Sequence, residues 1–332
     1  MNKSNFLDNI SNYFDKVHKR LYKLKYYSSH AHYKFLPHKM LQKNIEDILS
    51  EYRKLPNETK QNIDKRVNYY NKLNSKQIIS KEHEDIGFVG NFNTKRHSAY
   101  FFDLAQYLPY FEKDLAFSYI FGDVAHIPSQ ASIVKSRPIS DNNQNSVLLK
   151  LDSVRHFYTV NDSLKFEDKI DKMVWRGASH QKHRIEFLQK FHNHPLCDVK
   201  CVHKKSIQEA YYGKFMSIKQ QLKHKFVFSI EGFDVATNTK WIMASNSLCV
   251  MIKPKIETWL MEGLLQPDVH YVHLSDDYSD LDEKLSFYIK NPQAAQNIIN
   301  NANNWMKQFS DKKQELIISL LVLQKYFDNV EI

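Results

Sequence analysis

Apolar positions in the first quarter of the chain recur at three- and four-residue steps. Phe6, Ile10, Phe14, Val17, Leu21 and Leu24 fall on one face of a helix over about 4–27, with Lys16, Lys19, Arg20, Lys23 and Lys25 mostly between them. A second helical pattern runs through Leu41, Ile45, Ile48, Leu49 and Tyr52 and ends before Pro56, which cannot continue a helix. A third covers about 58–73. Between 85 and 140 the texture changes to short segments: IGFVG, a helix around 102–108, then the apolar runs LAFSYIFGD and SIVKSRPI. LAFSYIF reads as a buried strand with Gly122 and Asp123 at its end. Residues 140–146 (SDNNQNS) form a polar loop, and VLLKL and HFYTV fit either strands or helix ends.

From residue 167 strands and helices alternate. Residues 172–175 form a strand, 176–178 a turn and 183–191 a helix; after CDVKCVH comes a helical stretch near 206–222. A strand over 225–230, a loop over 231–234, a helix near 235–245 and a strand over 248–252 follow. A short strand in HYVHLS, two amphipathic helices and an apolar last helix at about 311–327 complete the chain. This spacing predicts a parallel sheet with helices on both faces. Ligands of such sheets bind at the carboxyl ends of strands, where Gly177 and Gly232 both fall. A chain of 332 residues favours two domains sharing a cleft. The change of rhythm divides it into a basic helical region 1–80, a domain 81–166, a domain 167–310 and a helix 311–332.

Residues 1–80 hold 16 Lys and Arg against 7 Asp and Glu, whereas the remainder is nearly balanced at 31 against 30. The basic face therefore belongs to the N-terminal quarter and calls for an anionic partner: a membrane surface, a phosphorylated glycan or nucleic acid. Those helices match no nucleic-acid module and their aromatics sit at core-like spacing, so nucleic acid is not expected. The 4–27 helix suits either a membrane surface or packing on its own domain. No apolar run approaches the ~20 residues that cross a bilayer. The start MNKSNFLDNISNYFDK carries Asp8 and Asp15 where a secretory signal is apolar. Cys197, Cys201 and Cys249 cannot form a disulfide framework. A cytoplasmic protein, peripheral at a membrane at most, is expected.

Two stretches could carry chemistry. In 175–184, Arg176 follows a strand and Arg184 enters a helix, so both guanidiniums are expected to converge on the strand's end, where they could hold a diphosphate by bidentate bonds. In 231–241 (EGFDVATNTKW), Gly232 precedes a helix whose first turn carries Thr237, Asn238 and Lys240, an N-terminus suited to an anion. In isolation, surface salt bridges and a helix capped by Asp234 explain these stretches better. Their repetition of one geometry raises the phosphate reading. GxGxxG and GxxxxGK[ST] are absent, which weighs against kinase, NTPase and dehydrogenase chemistry. His192, His194, Cys197, Cys201 and His203 match no common zinc spacing, and Asp276, Asp277 and Asp280 read as caps of a helix beginning near Ser279.

WRGA followed by HR, then KFVFSIEGFDVATNTKWIMASNS, then KPKIETWLMEGLLQPDVHYVHLSDDYSDLDEKL resemble, in order and spacing, the lipopolysaccharide A proteins of glycosyltransferase family 90, over about 115–310. The family also includes fungal capsule xylosyltransferases and animal protein O-glucosyltransferases. The resemblance implies an α/β GT-B fold, two Rossmann-like domains facing across a cleft, with 81–166 on the acceptor side and 167–310 binding a UDP-sugar. It also implies inversion at the anomeric carbon without a metal or other cofactor.

Carried onto this chain, the resemblance places Arg176, Gly177 and Arg184 near the donor diphosphate and makes the second loop Glu231, Gly232, Asp234, Thr237, Asn238 and Lys240. Glu257 would accept from ribose hydroxyls. Animal members have arginine at Asn238 and lysine at Lys240, so Lys240 is expected to carry more of the charge; bacterial relatives often have Asn at Phe233. Inversion by single displacement needs a base on the acceptor hydroxyl. Asp123 aligns with the family's proposed base, and His126 is its rival. The expected reaction moves a hexose to a lipopolysaccharide core sugar. Transfer to a protein serine, or a non-catalytic basic membrane-surface protein, are the alternatives.

Overall fold

The structure, a computed structural model, describes residues 3–80, 85–94, 98–158 and 161–332, with side chains from residue 17 onward. Met1–Tyr22, His156–Pro254 and Leu264–Gln308 form one unit; Lys23–Arg155, Lys255–Gly263 and Phe309–Ile332 form the other.

The first unit is built on the parallel sheet that the alternation predicts. Its five strands lie in the order Val272–His273, Leu248–Met251, His224–Phe228, Ile170–Gly177, Cys197–Cys201, all parallel. His224–Phe228 and Leu248–Met251 are buried throughout, as strands covered on both faces must be. The chain enters at Ile170–Gly177, passes through the helix Lys182–Phe191 to the edge strand Cys197–Cys201, then crosses to the opposite side at His224–Phe228 and moves outward. The direction of winding thus reverses between Ile170–Gly177 and His224–Phe228. The loops after these two strands lie at the carboxyl edge, the place where doubly wound sheets bind ligands. Beneath it Phe187 stacks on Phe228 with ring centroids 4.3 Å apart.

Two helices expected in this unit are much shorter. The stretch near 206–222 has only the turn Lys204–Ser206 and the helix Ile218–Gln221. Between them the backbone bonds to the edge strand instead: Gly213 N–H donates to the Cys201 carbonyl at 2.9 Å and Cys201 N–H to that of Tyr211 at 2.9 Å. The helix expected near 235–245 spans only Thr239–Met243, and its cap residue is Asn238 rather than Asp234.

The second unit carries a four-stranded sheet, Ile86–Phe88, Ala116–Ile120, Ser132–Val134, Ser146–Leu148, with only the first pair antiparallel. The helices Ile45–Arg53, Asn57–Tyr70 and Lys312–Asn329 pack together in it. Glu315 ties the last of these to Asn57–Tyr70 through Arg66 at 2.7 Å; it also pairs with Lys150 at 2.8 Å and accepts from Trp259 Nε1 at 2.8 Å. Tyr70 stacks on Trp259 at 3.8 Å.

The N-terminal helix runs Lys3–His30. Phe6, Ile10 and Phe14 lie outside the described side chains. Beyond them the packed face is not the expected one. Leu21 and Leu24 are exposed, whereas Tyr22 meets Tyr158 edge-on at 5.3 Å and Tyr26 donates to the Asp103 carboxylate at 2.7 Å. Tyrosine combines a large ring with a hydroxyl that needs a partner, which suits it to a partly wet seam better than leucine.

Asp103 also accepts from the backbone N–H and hydroxyl of Ser153, at 2.7 and 2.8 Å. Burial nevertheless pushes its carboxyl up to about 7. The folded chain therefore keeps a proton that the unfolded chain releases near pH ~4. Stability from this group is fully present below that value and is lost as pH rises through about 7. The wild type's thermal stability relative to Asp103→Asn should fall between about pH 4.5 and about 7.5. Thermal melts across that range check this, and a constant difference would refute it.

Candidate active site

Arg184 sits in the first turn of Lys182–Phe191. Its Nη1 donates to the Ala178 carbonyl at 2.9 Å, Nε to Glu231 at 2.8 Å and Nη2 to Ile230 at 2.9 Å. One guanidinium thus clamps the loop after Ile170–Gly177 to the loop after His224–Phe228. His183 adds a second contact, its Nε2 lying 2.9 Å from the Glu231 carbonyl. Burial pulls the Arg184 guanidinium below its ordinary value, opposed by the charge of Asp234. The guanidinium also lies 5.6 Å from the centre of the Trp175 ring, a cation–π distance.

The clamp accounts for two glycines. A Cβ on Gly177 would lie 2.4 Å from the Trp175 indole, and one on Gly232 would lie 3.2 Å from Arg184 Nη2. The first position has no room for a side chain, and the second would press on the guanidinium.

Arg176 does not converge with Arg184. Successive strand residues face opposite sides of a sheet, and Trp175 occupies the side of Arg184. The Arg176 guanidinium instead pairs with Asp198 at 2.7 Å and donates to the carbonyls of Asp198 and Lys214 at 2.6 and 3.1 Å. Asp198 lies opposite Val174 on the edge strand.

In the second loop, Gly232 N–H donates to the Asp234 carbonyl at 2.9 Å. Asp234 is buried, Thr237 exposed and Phe233 67% exposed. Asn238 donates to the Phe228 carbonyl at 2.8 Å, fixing the loop to its own strand. Lys240 is fully buried, so its ammonium is not on the surface of these loops. Glu257 is not among these loops: it belongs to the second unit, where it accepts from Arg137 Nε at 2.8 Å and from the Tyr69 hydroxyl. Both partners of that ion pair are nearly without exposure.

Asp123 follows Ala116–Ile120 and pairs through Oδ1 with Lys135 at 2.7 Å. Lys135 follows the neighbouring parallel strand Ser132–Val134; its side chain is 2% exposed and that of Asp123 43%. Asp152 lies beyond the third strand end, after Ser146–Leu148, and pairs with Arg155 at 3.0 Å. Burial pushes the Tyr100 hydroxyl up to about 12 and the Asp152 carboxyl upward. Asp152 adopts φ 54°, a left-handed backbone rare outside glycine. Three parallel strand ends thus bring Asp123, Lys135 and Asp152 into one charged cluster. His126 is exposed.

The cysteine and histidine positions have other roles. His194 pairs with Asp282 at 2.9 Å, and Cys197 and Cys201 are buried in the edge strand. Burial would raise the Cys201 thiol, but hydrogen bonds from Ser179, Ser206 and the His203 backbone bring it below its ordinary value.

Reading the sequence missed Lys135, Asp152, Asp198 and His183. Lys135 and Asp152 had a signal: each ends a segment that becomes a parallel strand beside the one preceding Asp123. Asp198 had none, because its pairing depends on strand order.

Residues 148–328, more than half of the chain, match Glycosyl transferase family 90. The chain belongs to this family. It is 48% identical over 318 residues to the O-glucosyltransferase LpsA of Dichelobacter nodosus, covering 96% of this chain and 99% of that protein. It is also 28% identical over 139 residues to Protein O-glucosyltransferase 2 of Danio rerio, covering 40% of this chain and 28% of that protein. The protein is thus a glycosyltransferase that takes a sugar from a donor to an acceptor.

Arg184→Lys should lower stability by about 3 kcal/mol, because a single ammonium cannot serve three carbonyls at once and each bond to a charged donor contributes about 1.5–3 kcal/mol. Urea denaturation measures the loss; an unchanged midpoint would show that the clamp is not structural.

Proposed function

We propose that this family 90 glycosyltransferase moves glucose from UDP-glucose to a sugar of a lipopolysaccharide core, with inversion, and that the loops held by Arg184 receive the donor. The observation that carries the donor assignment is where Arg184 sits: at the reversal point of a parallel sheet, between the loops after Gly177 and Phe228. Three of the five N–H groups of Arg184 serve the clamp, leaving two for a diphosphate. Exposed Thr237 and Phe233 are the side chains of the second loop that a donor would meet first. Arg176, paired with Asp198, would support the strand end rather than touch phosphate. No metal is invoked: the positive charge for the departing diphosphate would come from Arg184. The architecture proposed is GT-B, with the donor loops in one unit and the base in the other.

Glucose as the transferred sugar is supported by the names of both relatives. The near-complete match to a bacterial LpsA favours a lipopolysaccharide acceptor over the protein serine that the Danio rerio name implies. A cytoplasmic location accords with this acceptor. Among the described residues no helix is long and apolar enough to cross a membrane.

In the proposed step the acceptor hydroxyl oxygen attacks the anomeric carbon. Its proton passes to Asp123, and the bond from that carbon to the UDP oxygen breaks with its electron pair leaving on UDP. Attack opposite the leaving group inverts the centre. Lys135 holds Asp123 Oδ1 and so orients the carboxylate.

Asp123→Asn should lower transfer by about 10³-fold or more, at the upper end of what a positioned base contributes, while UDP binding by calorimetry stays unchanged. Surviving transfer would remove Asp123 as base. Absence of saturable UDP binding to the wild type would remove the donor assignment.

A further inference from the structure

The chain contains no Asp or Glu between Asp15 and Glu46, and in that interval it places eight Lys and Arg together with His18, His30, His32 and His38. The same interval holds several strongly exposed large apolar side chains. Phe35 is 78% exposed, Met40 69% and Leu24 65%, and Leu36 is also exposed. Phe35, Leu36 and Met40 cluster in a tight turn: the helix His32–Phe35 ends at Leu36, Pro37 caps the helix His38–Leu41, and Lys34 and Lys39 flank the apolar tip.

This turn is held firmly at its base. On one side Tyr26 bonds to Asp103 and to the Ala99 carbonyl at 3.0 Å, and Tyr27 packs on Phe102 at 6.0 Å. On the other side Lys43 N–H donates to the Pro109 carbonyl at 2.9 Å and its ammonium lies 5.0 Å from the Tyr110 ring centre. Water gains nothing from a phenylalanine and a methionine exposed on one anchored turn, and apolar side chains flanked by cations mark a contact surface. The Leu21–Leu24 face, one turn long, adds a second exposed apolar strip among Lys19, Arg20, Lys23 and Lys25.

We propose that the turn 34–40 is a membrane-insertion element. Phe35, Leu36 and Met40 enter the interface of an anionic bilayer, and Lys34, Lys39 and the basic helix face pair with its headgroups. Apolar tips between lysines match a surface that is anionic at its headgroups and apolar below them. A nucleic acid would use the lysines but leave the methionine and phenylalanine in water. This sharpens the membrane contact expected of residues 1–80 to named side chains, and it does not depend on the donor or base assignments.

The test is cosedimentation of the full chain with vesicles of phosphatidylcholine containing phosphatidylglycerol, and with phosphatidylcholine alone. Wild type should bind the anionic vesicles and not the neutral ones. Phe35→Ser with Met40→Ser should cut partitioning roughly tenfold or more. Lys34→Gln and Lys39→Gln should each cut it about fivefold and flatten its salt dependence. A Phe35→Trp variant should blue-shift its emission on binding and be quenched by brominated lipid. All replaced side chains are solvent-facing, so melting temperatures should match wild type. Equal binding by wild type and the Phe35/Met40 double variant, failure to bind anionic vesicles, or displacement by short RNA duplexes with no quenching would overturn the proposal. UDP binding measured without vesicles reads the donor site separately.

Discussion

The contact on which the first unit's site depends is the three-carbonyl grip of Arg184. A parallel sheet that reverses its winding leaves two loops diverging from neighbouring strands, and nothing in the strands themselves holds those loops together. Arg184 does so with a planar fork whose donors reach Ala178, Ile230 and Glu231 at once, a geometry that lysine cannot reproduce. The indole of Trp175 supports the guanidinium, and that indole fits only because residue 177 has no side chain. Gly232 then lets the second loop approach the same guanidinium. Two glycines, one tryptophan and one arginine form a single dependency, which is why they stand so close together in a chain with only 7 glycines.

Much of this was legible before the structure. The alternation of strands and helices after residue 167 pointed to the parallel sheet, and the strand-loop-helix spacing put Gly177 and Gly232 at carboxyl ends. What escaped reading were properties fixed by strand order and alternation. Arg176 and Arg184 look equivalent along the chain, yet one strand position separates Trp175 from Arg176, and the pleat sends them to opposite sides. Asp198 takes Arg176 because Cys197–Cys201 is its parallel neighbour. Glu257 illustrates the same limit: the chain leaves the first unit for Lys255–Gly263 and returns, and there Ile256–Thr258 pairs antiparallel with Ser136–Pro138. The helix expected near 235–245 is confined to Thr239–Met243, because the Asn238 bond to Phe228 holds the residues before it to the strand end.

Buried ion pairs recur through the second unit, and their chemistry separates them. Arg137 and Glu257 are both withdrawn from water, and Arg137 spends its remaining donors on the carbonyls of Tyr69, Tyr70 and Ser146. Such a pair contributes little net stability over an apolar substitute, but removing one partner leaves a stranded charge. Its effect is on register: it fixes the Ser136–Pro138 strand against Ile256–Thr258, and it fixes both against the end of the helix Asn57–Tyr70.

Lys135 differs from Arg137 in one respect that bears on function. Its ammonium is as deeply buried, yet its partner Asp123 is nearly half exposed. The ammonium also lies 5.8 Å from the centre of the Tyr100 ring, so the water-facing carboxylate is not its sole neighbour in the interior. Asp152, buried nearby, has its own cation in Arg155 at 3.0 Å. A half-exposed carboxylate just beyond the end of a parallel strand stands where open α/β sheets place ligand contacts. That position therefore supports a chemical role for Asp123 independently of the alignment that first drew attention to it.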